Sequence, residues 1–178
     1  LERGRNLEAR ELLARVASAA PEGVAVRSQL AWSRLRLGEH EAAIADLEAV
    51  YRLDPGQTRI GLMLGRTSLA QGRNADAGRI AAELIAREPD NPSHHNLAAA
   101  AAAGQGDMEA AKRAFAAALQ ADPGFVPAAL NLARLELRDR HVDAAEARYE
   151  GLLAANRDEI RALEGLAHEL AGGARETE

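Results

Sequence analysis

One residue spacing constrains this chain more than any other feature. Gly4, Gly38, Gly72 and Gly106 stand 34 residues apart, with Arg140 at the next step. The same step carries Pro21, Pro55, Pro89 and Pro123, then Arg157, and it carries Ala9, Ala43, Ala77, Ala111 and Ala145 without a break. A further column holds only small residues: Ala31, Gly65, Ala99, Ala133 and Ala167. A unit of this length repeated in register is one supersecondary module that buries its apolar face by stacking on its neighbours. The glycine suits a left-handed residue ending one helix, and the proline closes the next because it cannot continue the hydrogen-bond ladder. The small column lets paired helices approach closely.

Between these markers the apolar residues recur with helical period. In Glu41 to Leu53 they fall at Ala43, Ile44, Leu47, Val50 and Tyr51, one stripe of a 3.6-residue helix, and Leu12, Leu13 and Val16 repeat the device upstream. The pattern predicts ten helices, near 5–19, 24–37, 40–53, 58–71, 74–87, 92–104, 108–121, 126–138, 142–155 and 159–171. The expected fold is all-α: a half-repeat over 1–23, four hairpin repeats over 24–57, 58–91, 92–125 and 126–159, a half-repeat over 160–171 and a fraying tail over 172–178. Leu163, Leu166 and Leu170 leave an apolar face after the last full repeat, so the native protein is expected to continue.

Written in order, Leu64-Gly65, Gly72, Ala77 and Pro89, and again Leu132-Ala133, Ala145 and Tyr149, this pattern resembles the tetratricopeptide-repeat (TPR) family over nearly the whole chain. The resemblance implies a right-handed superhelix of antiparallel helix pairs that binds other proteins. The family's aromatic near the start of the first helix is missing, its place being taken by Arg27, Gly61, His95, Ala129 and Leu163. Thinner packing between repeats is therefore expected. Ala98 to Ala103 is a run of six alanines where other repeats place Leu64 or Leu132. Each missing leucine costs about 2–5 kcal/mol in an unrelaxed core, so neighbouring helices must close in there or the stack must flex.

In the family, first-helix positions two, five, nine, twelve and thirteen line a concave groove that takes extended or helical peptides. Carried onto this chain, they include Trp32 and Arg36 in the first full repeat and Arg59, Leu62 and Arg66 in the second. Asn96 follows in the alanine-rich repeat, then Leu130, Arg134 and Arg138, and Arg161 in the last half-repeat. The groove so read is leucine plus arginine, while Glu41, Asp46, Glu48, Asp76, Glu83, Glu109, Glu146 and Glu150 sit on second helices. Guanidinium forks suit carboxylates and leucines accept apolar side chains, which points to an acidic or C-terminal peptide; the alternative is arginines solvated or paired on their own face. Of the family's carboxylate clamp only Asn131 and Arg161 occupy matching places, so no such clamp is assigned. Trp32, the sole tryptophan, faces either a partner or the adjacent repeat.

Other chemistries find little footing. His94 and His95 are adjacent, so on a helix their rings diverge by about 100 degrees, and no second ligand pair is spaced to meet them. Gly104-Gln105-Gly106 resembles part of a nucleotide loop, but Gly106 belongs to the turn column. No nucleophile and base stand apart from the repeat columns, so no enzyme, no metal and no cofactor is expected. With 47% hydrophobic and only 3% aromatic residues the core must be aliphatic. A net charge of −5 argues against nonspecific nucleic-acid binding, and no apolar run reaches the roughly 18 residues a bilayer span needs.

The stretch His95-Asn96-Leu97 through Gly106-Asp107-Met108-Glu109-Ala110-Ala111-Lys112-Arg113-Ala114-Phe115, ending Ala121-Asp122-Pro123, is similar to TPR lipoproteins of bacterial exosortase (PEP-CTERM) sorting systems. That likeness implies a protein of the cell envelope or periplasm, the cytoplasm being the alternative. Three functions are thus in view: a peptide-binding scaffold, a self-assembling module joined through open repeat ends, and a segment accessory to an enzyme.

Overall fold

Where the sequence repeats a 34-residue register, the computed structural model repeats a helical hairpin. It describes residues 2–20 and 23–155. The helices are α1 (Glu2–Ala19), α2 (Val24–Leu37), α3 (His40–Leu53), α4 (Thr58–Ala70), α5 (Asn74–Arg87), α6 (Pro92–Gly104), α7 (Met108–Ala121), α8 (Val126–Arg138) and α9 (Val142–Ala155). Their bounds follow the expected ones closely. The expected tenth helix near 159–171, the tail, Pro21, Arg157 and Arg161 lie outside the described residues.

The turns are built as the columns imply. Gly38, Gly72 and Gly106 adopt φ of 79°, 72° and 85°, and Arg140 at the same step takes φ of 61°. Pro55, Pro89 and Pro123 each stand two residues beyond the end of a second helix. Asp54 and Asp122 brace two of these turns by accepting the amides of Gly56 and Gly124 at 3.0 and 2.9 Å. Asn91 caps α6 through the Ser93 amide, and Asp107 caps α7 through that of Ala110. Gly4 departs from its column. It lies inside α1, where no described helix precedes it for a turn glycine to end.

Two compact units divide the chain, Leu1–Arg87 and Glu88–Glu178. In the first, α1 packs on α2, α2 on α3, α3 on α4 and α4 on α5. The expected α3 stripe of Ala43, Ile44, Leu47, Val50 and Tyr51 is buried throughout. Each large aliphatic side chain so buried contributes about 1.5–3 kcal/mol of transfer free energy. The expectation of thin packing at the missing aromatic positions fails at Gly61. The ring of Tyr51 fills that space, and its hydroxyl accepts a hydrogen bond from Arg87 Nη1 at 3.0 Å. At Arg27 the aromatic is replaced by charge, since its guanidinium lies 3.4 Å from Asp46 Oδ1.

In the second unit α6 packs on α7, α7 on α8 and α8 on α9. Its core gathers Ala99, Ala111, Phe115, Ala118, Ala128 and Leu132. Of the two expected responses to the alanine run, the helices here close in. Ala99 and Ala101 are fully buried, Ala102 and Ala103 pack on the same cluster, and α6 meets α7 over a more extensive contact than any other described pair. Small side chains permit that approach, and Phe115 supplies the volume the alanines lack.

Candidate functional site: the first-helix faces

In the first unit, α2 and the start of α4 enclose an open cleft of 440 Å³ lined by Ser28, Gln29, Trp32, Gln57, Thr58 and Arg59, among others. Three of these, Ser28, Trp32 and Arg59, come from the family's groove positions. Gln57 and Gly56 come from the Asp54-Pro55-Gly56 turn, which sequence reasoning treated only as punctuation. The repeated Asp-Pro-Gly of residues 54–56 and 122–124 was the available signal. Trp32 keeps 45% of its surface exposed, so it is not spent on packing between repeats.

Charge on this unit is divided between two kinds of arginine. Arg27 and Arg34 of α2 both turn onto Asp46 of α3, which is almost fully buried, and Arg34 Nη1 donates to Asp46 Oδ2. Burial pushes the Asp46 carboxyl above its ordinary range, and the pull of Arg34 and then Arg27 only partly offsets this. Asp46, which the sequence reads only as one more acid on a second helix, therefore belongs to the core. The spacing of Arg27 and Arg34, seven residues along one helix face, was the overlooked sign. Arg73 is likewise held, by Glu48 at 3.1 Å and Asp76 at 2.9 Å. Arg36, Arg59 and Arg66 are different: all three are exposed and, among the described residues, none forms an ion pair. Leu62, on α4 between Arg59 and Arg66, is half-buried.

In the second unit the corresponding face is more self-satisfied. Arg134 Nη1 donates to Asn131 Oδ1 at 3.3 Å, and Arg138 Nε lies 3.6 Å from Asp139 Oδ1. Leu130 is half-buried and packs on two core clusters, one around Ala129 and Leu152 and one around Ala133, Ala145 and Tyr149. Asn96 is half-buried, with a buried Oδ1 that has no hydrogen-bond partner among the described residues. His94 is buried with Nε2 3.8 Å from Glu88 Oε2, while His95 Nε2 lies 2.5 Å from the Pro89 carbonyl. Among the described residues no group of three or more His, Asp or Glu side chains is placed to hold a metal ion, and no helix is long and apolar enough to cross a membrane.

A model of the tetratricopeptide repeat matches residues 34–101 and 102–168, and a second tetratricopeptide-repeat model matches residues 1–58. No curated protein matches the chain. Among solved structures, MamA 41-end from Desulfovibrio magneticus RS-1 is similar with a TM-score of 0.76 at 19% identity, covering 89% of this chain and 90% of that one. A thermophilic TPR protein from Thermus thermophilus is similar with a TM-score of 0.69 at 20% identity, covering 92% of each chain. At such identities the likeness is one of fold.

Proposed function

The chain belongs to the tetratricopeptide-repeat family, and on that footing we propose that it is a non-catalytic protein-binding scaffold whose first-helix face takes an extended acidic peptide. The observation that carries this reading is the pairing pattern of the arginines in the first unit. Arg27, Arg34 and Arg73 are committed to carboxylates of the fold, while Arg36, Arg59 and Arg66 stand exposed and unpaired among the described residues. An unpaired guanidinium offers a planar donor fork to a carboxylate without first breaking an internal bond. Trp32, on the same cleft as Arg59, supplies rigid apolar area of the kind that anchors partners.

A peptide with acidic residues flanking an apolar one fits that combination. Arg59 and Arg66 meet carboxylates, Leu62 and Trp32 meet the apolar side chain, and the chain runs extended because the donors repeat along the face. The likeness of residues 95–123 to the TPR proteins of exosortase systems supports a role in handling sorted or exported proteins at a bacterial envelope.

Binding of an acidic extended peptide library, followed through Trp32 fluorescence at two salt concentrations, tests the reading. Salt-sensitive binding that Arg59→Glu and Arg66→Glu abolish is expected, because screening and charge reversal both act on exposed ion pairs. Binding indifferent to salt and to both substitutions would overturn it.

A further inference from the structure

Two columns of the repeat that set arginine against aspartate in the α2–α3 hairpin set glutamate against arginine in the α8–α9 hairpin. Arg34 of α2 donates through Nη1 to Asp46 Oδ2 of α3. Three repeats later the same columns hold Glu136 of α8 and Arg148 of α9, and Arg148 Nε donates to Glu136 Oε1 at 3.2 Å. The carboxylate is the buried partner each time, Asp46 keeping 5% of its surface and Glu136 8%. The sign is thus reversed across an otherwise equivalent contact. In α4–α5 these columns hold Ser68 and Ile80, both buried, and in α6–α7 they hold Ala102 and Ala114, both half-buried.

Stability alone does not account for these charges. Replacing a buried ion pair by apolar residues is often neutral for stability, and the two middle hairpins close over the same columns without one. Shape does not separate the two charged hairpins either: Ala31 matches Ala133 and Ala43 matches Ala145, and all four are fully buried. An array of near-identical hairpins is prone to exchange helices within and between copies, because a first helix fits more than one second helix.

We propose that the reversed ion pair is a pairing code that commits α2 to α3 and α8 to α9. Laid on α9, α2 would bring Arg34 against Arg148. Laid on α3, α8 would bring Glu136 against Asp46, two carboxylates at a buried site with no cation from the incoming helix. From α4 or α6, Asp46 would meet only Ser68 or Ala102. Arg27, 3.4 Å from Asp46 Oδ1, reinforces the commitment of α2, because its column holds Gly61, His95 and Ala129 in the other first helices. The penalty for a buried carboxylate left without its cation exceeds what the correct pair contributes, so the code acts by excluding wrong partners.

Refolding of the full chain from urea by rapid dilution, with the products resolved by size-exclusion chromatography and light scattering, tests this by transplanting the code. Glu136→Arg with Arg148→Glu gives α8 and α9 the sign order of α2 and α3. Arg27→Ala, Arg34→Glu and Asp46→Arg give the first hairpin the residues of the last. Either set alone keeps a complementary pair in both hairpins but makes the two codes alike. Each is expected to lose part of the parent's yield of native species to helix-exchanged oligomers and misassembled monomers. The two sets together make the codes distinct again, and recovery of the native species to the parent's level is expected. Either set refolding by itself as completely as the parent overturns the proposal. So do losses that add in the combined chain, since that is the mark of separate local damage at each hairpin.

Discussion

The ring of Tyr51 occupies the space into which a side chain on Gly61 would project: a β-carbon there would lie 2.7 Å from Tyr51 Cε2 and 2.9 Å from Leu84 Cδ2. Glycine at this place is thus an adaptation to a tyrosine on the preceding helix, and the two residues together replace the aromatic that the repeat family sets in the first helix. Gly61→Ala is expected to destabilise the chain by about 1–3 kcal/mol, because a rigid ring must be displaced into an already packed core. Thermal unfolding by circular dichroism measures it. A change within experimental error would show that Tyr51 moves freely.

Arg140 sits in the turn column with φ of 61°, a conformation that Gly38, Gly72 and Gly106 adopt without a β-carbon. The left-handed region costs a non-glycine residue roughly 1–2 kcal/mol. Arg140→Gly is therefore expected to stabilise the α8–α9 hairpin, with a gain of about 1 kcal/mol once the greater freedom of glycine in the unfolded chain is set against the relief. Denaturant unfolding with an unchanged m-value and a raised midpoint is the expected outcome; a lowered midpoint would refute it.

Asp46 supplies a pH dependence whose sign follows from burial. Its folded carboxyl titrates above the ordinary range, so between the unfolded and the folded pKa the native state holds a proton that the unfolded chain has released. Stability from this group therefore falls as pH rises through that window and is level above it. Asp139 works oppositely: the hydrogen bond from Lys112 holds its carboxyl low, and that contribution is lost as pH falls. Comparing the chain with Asp46→Asn isolates the first effect. The stability of the parent relative to the variant is expected to shrink with rising pH, and a difference that grows would contradict the assignment.

Trp32 is exposed, so Trp32→Ala is expected to alter unfolding free energy by no more than about 0.5 kcal/mol. Under the proposed function the same change weakens peptide binding by about 30-fold, the equivalent of roughly 2 kcal/mol. Calorimetric titration against a bound acidic peptide separates the two. Binding that survives with a destabilised fold would make Trp32 a packing residue.

The 34-residue register by itself determined the helices, their turns and the buried faces, down to Arg140 taking up the backbone of a turn glycine. Those features are local, or repeat locally: left-handed caps, prolines two residues past a helix, and apolar stripes at 3.6-residue spacing follow from φ/ψ sterics and from hydrophobic periodicity. Ser28, Trp32 and Arg59 border the cleft between α2 and the start of α4. What the sequence left open was which side chains meet across helices. Asp46 reads as one more acid on a second helix, yet it lies beneath Arg27 and Arg34 of α2; six alanines read as a weak place, yet Phe115 and the approach of α7 close it. Only tertiary structure decides such matters, because the energy of a charge pair or a core contact depends on separation and burial, and repeat spacing specifies neither.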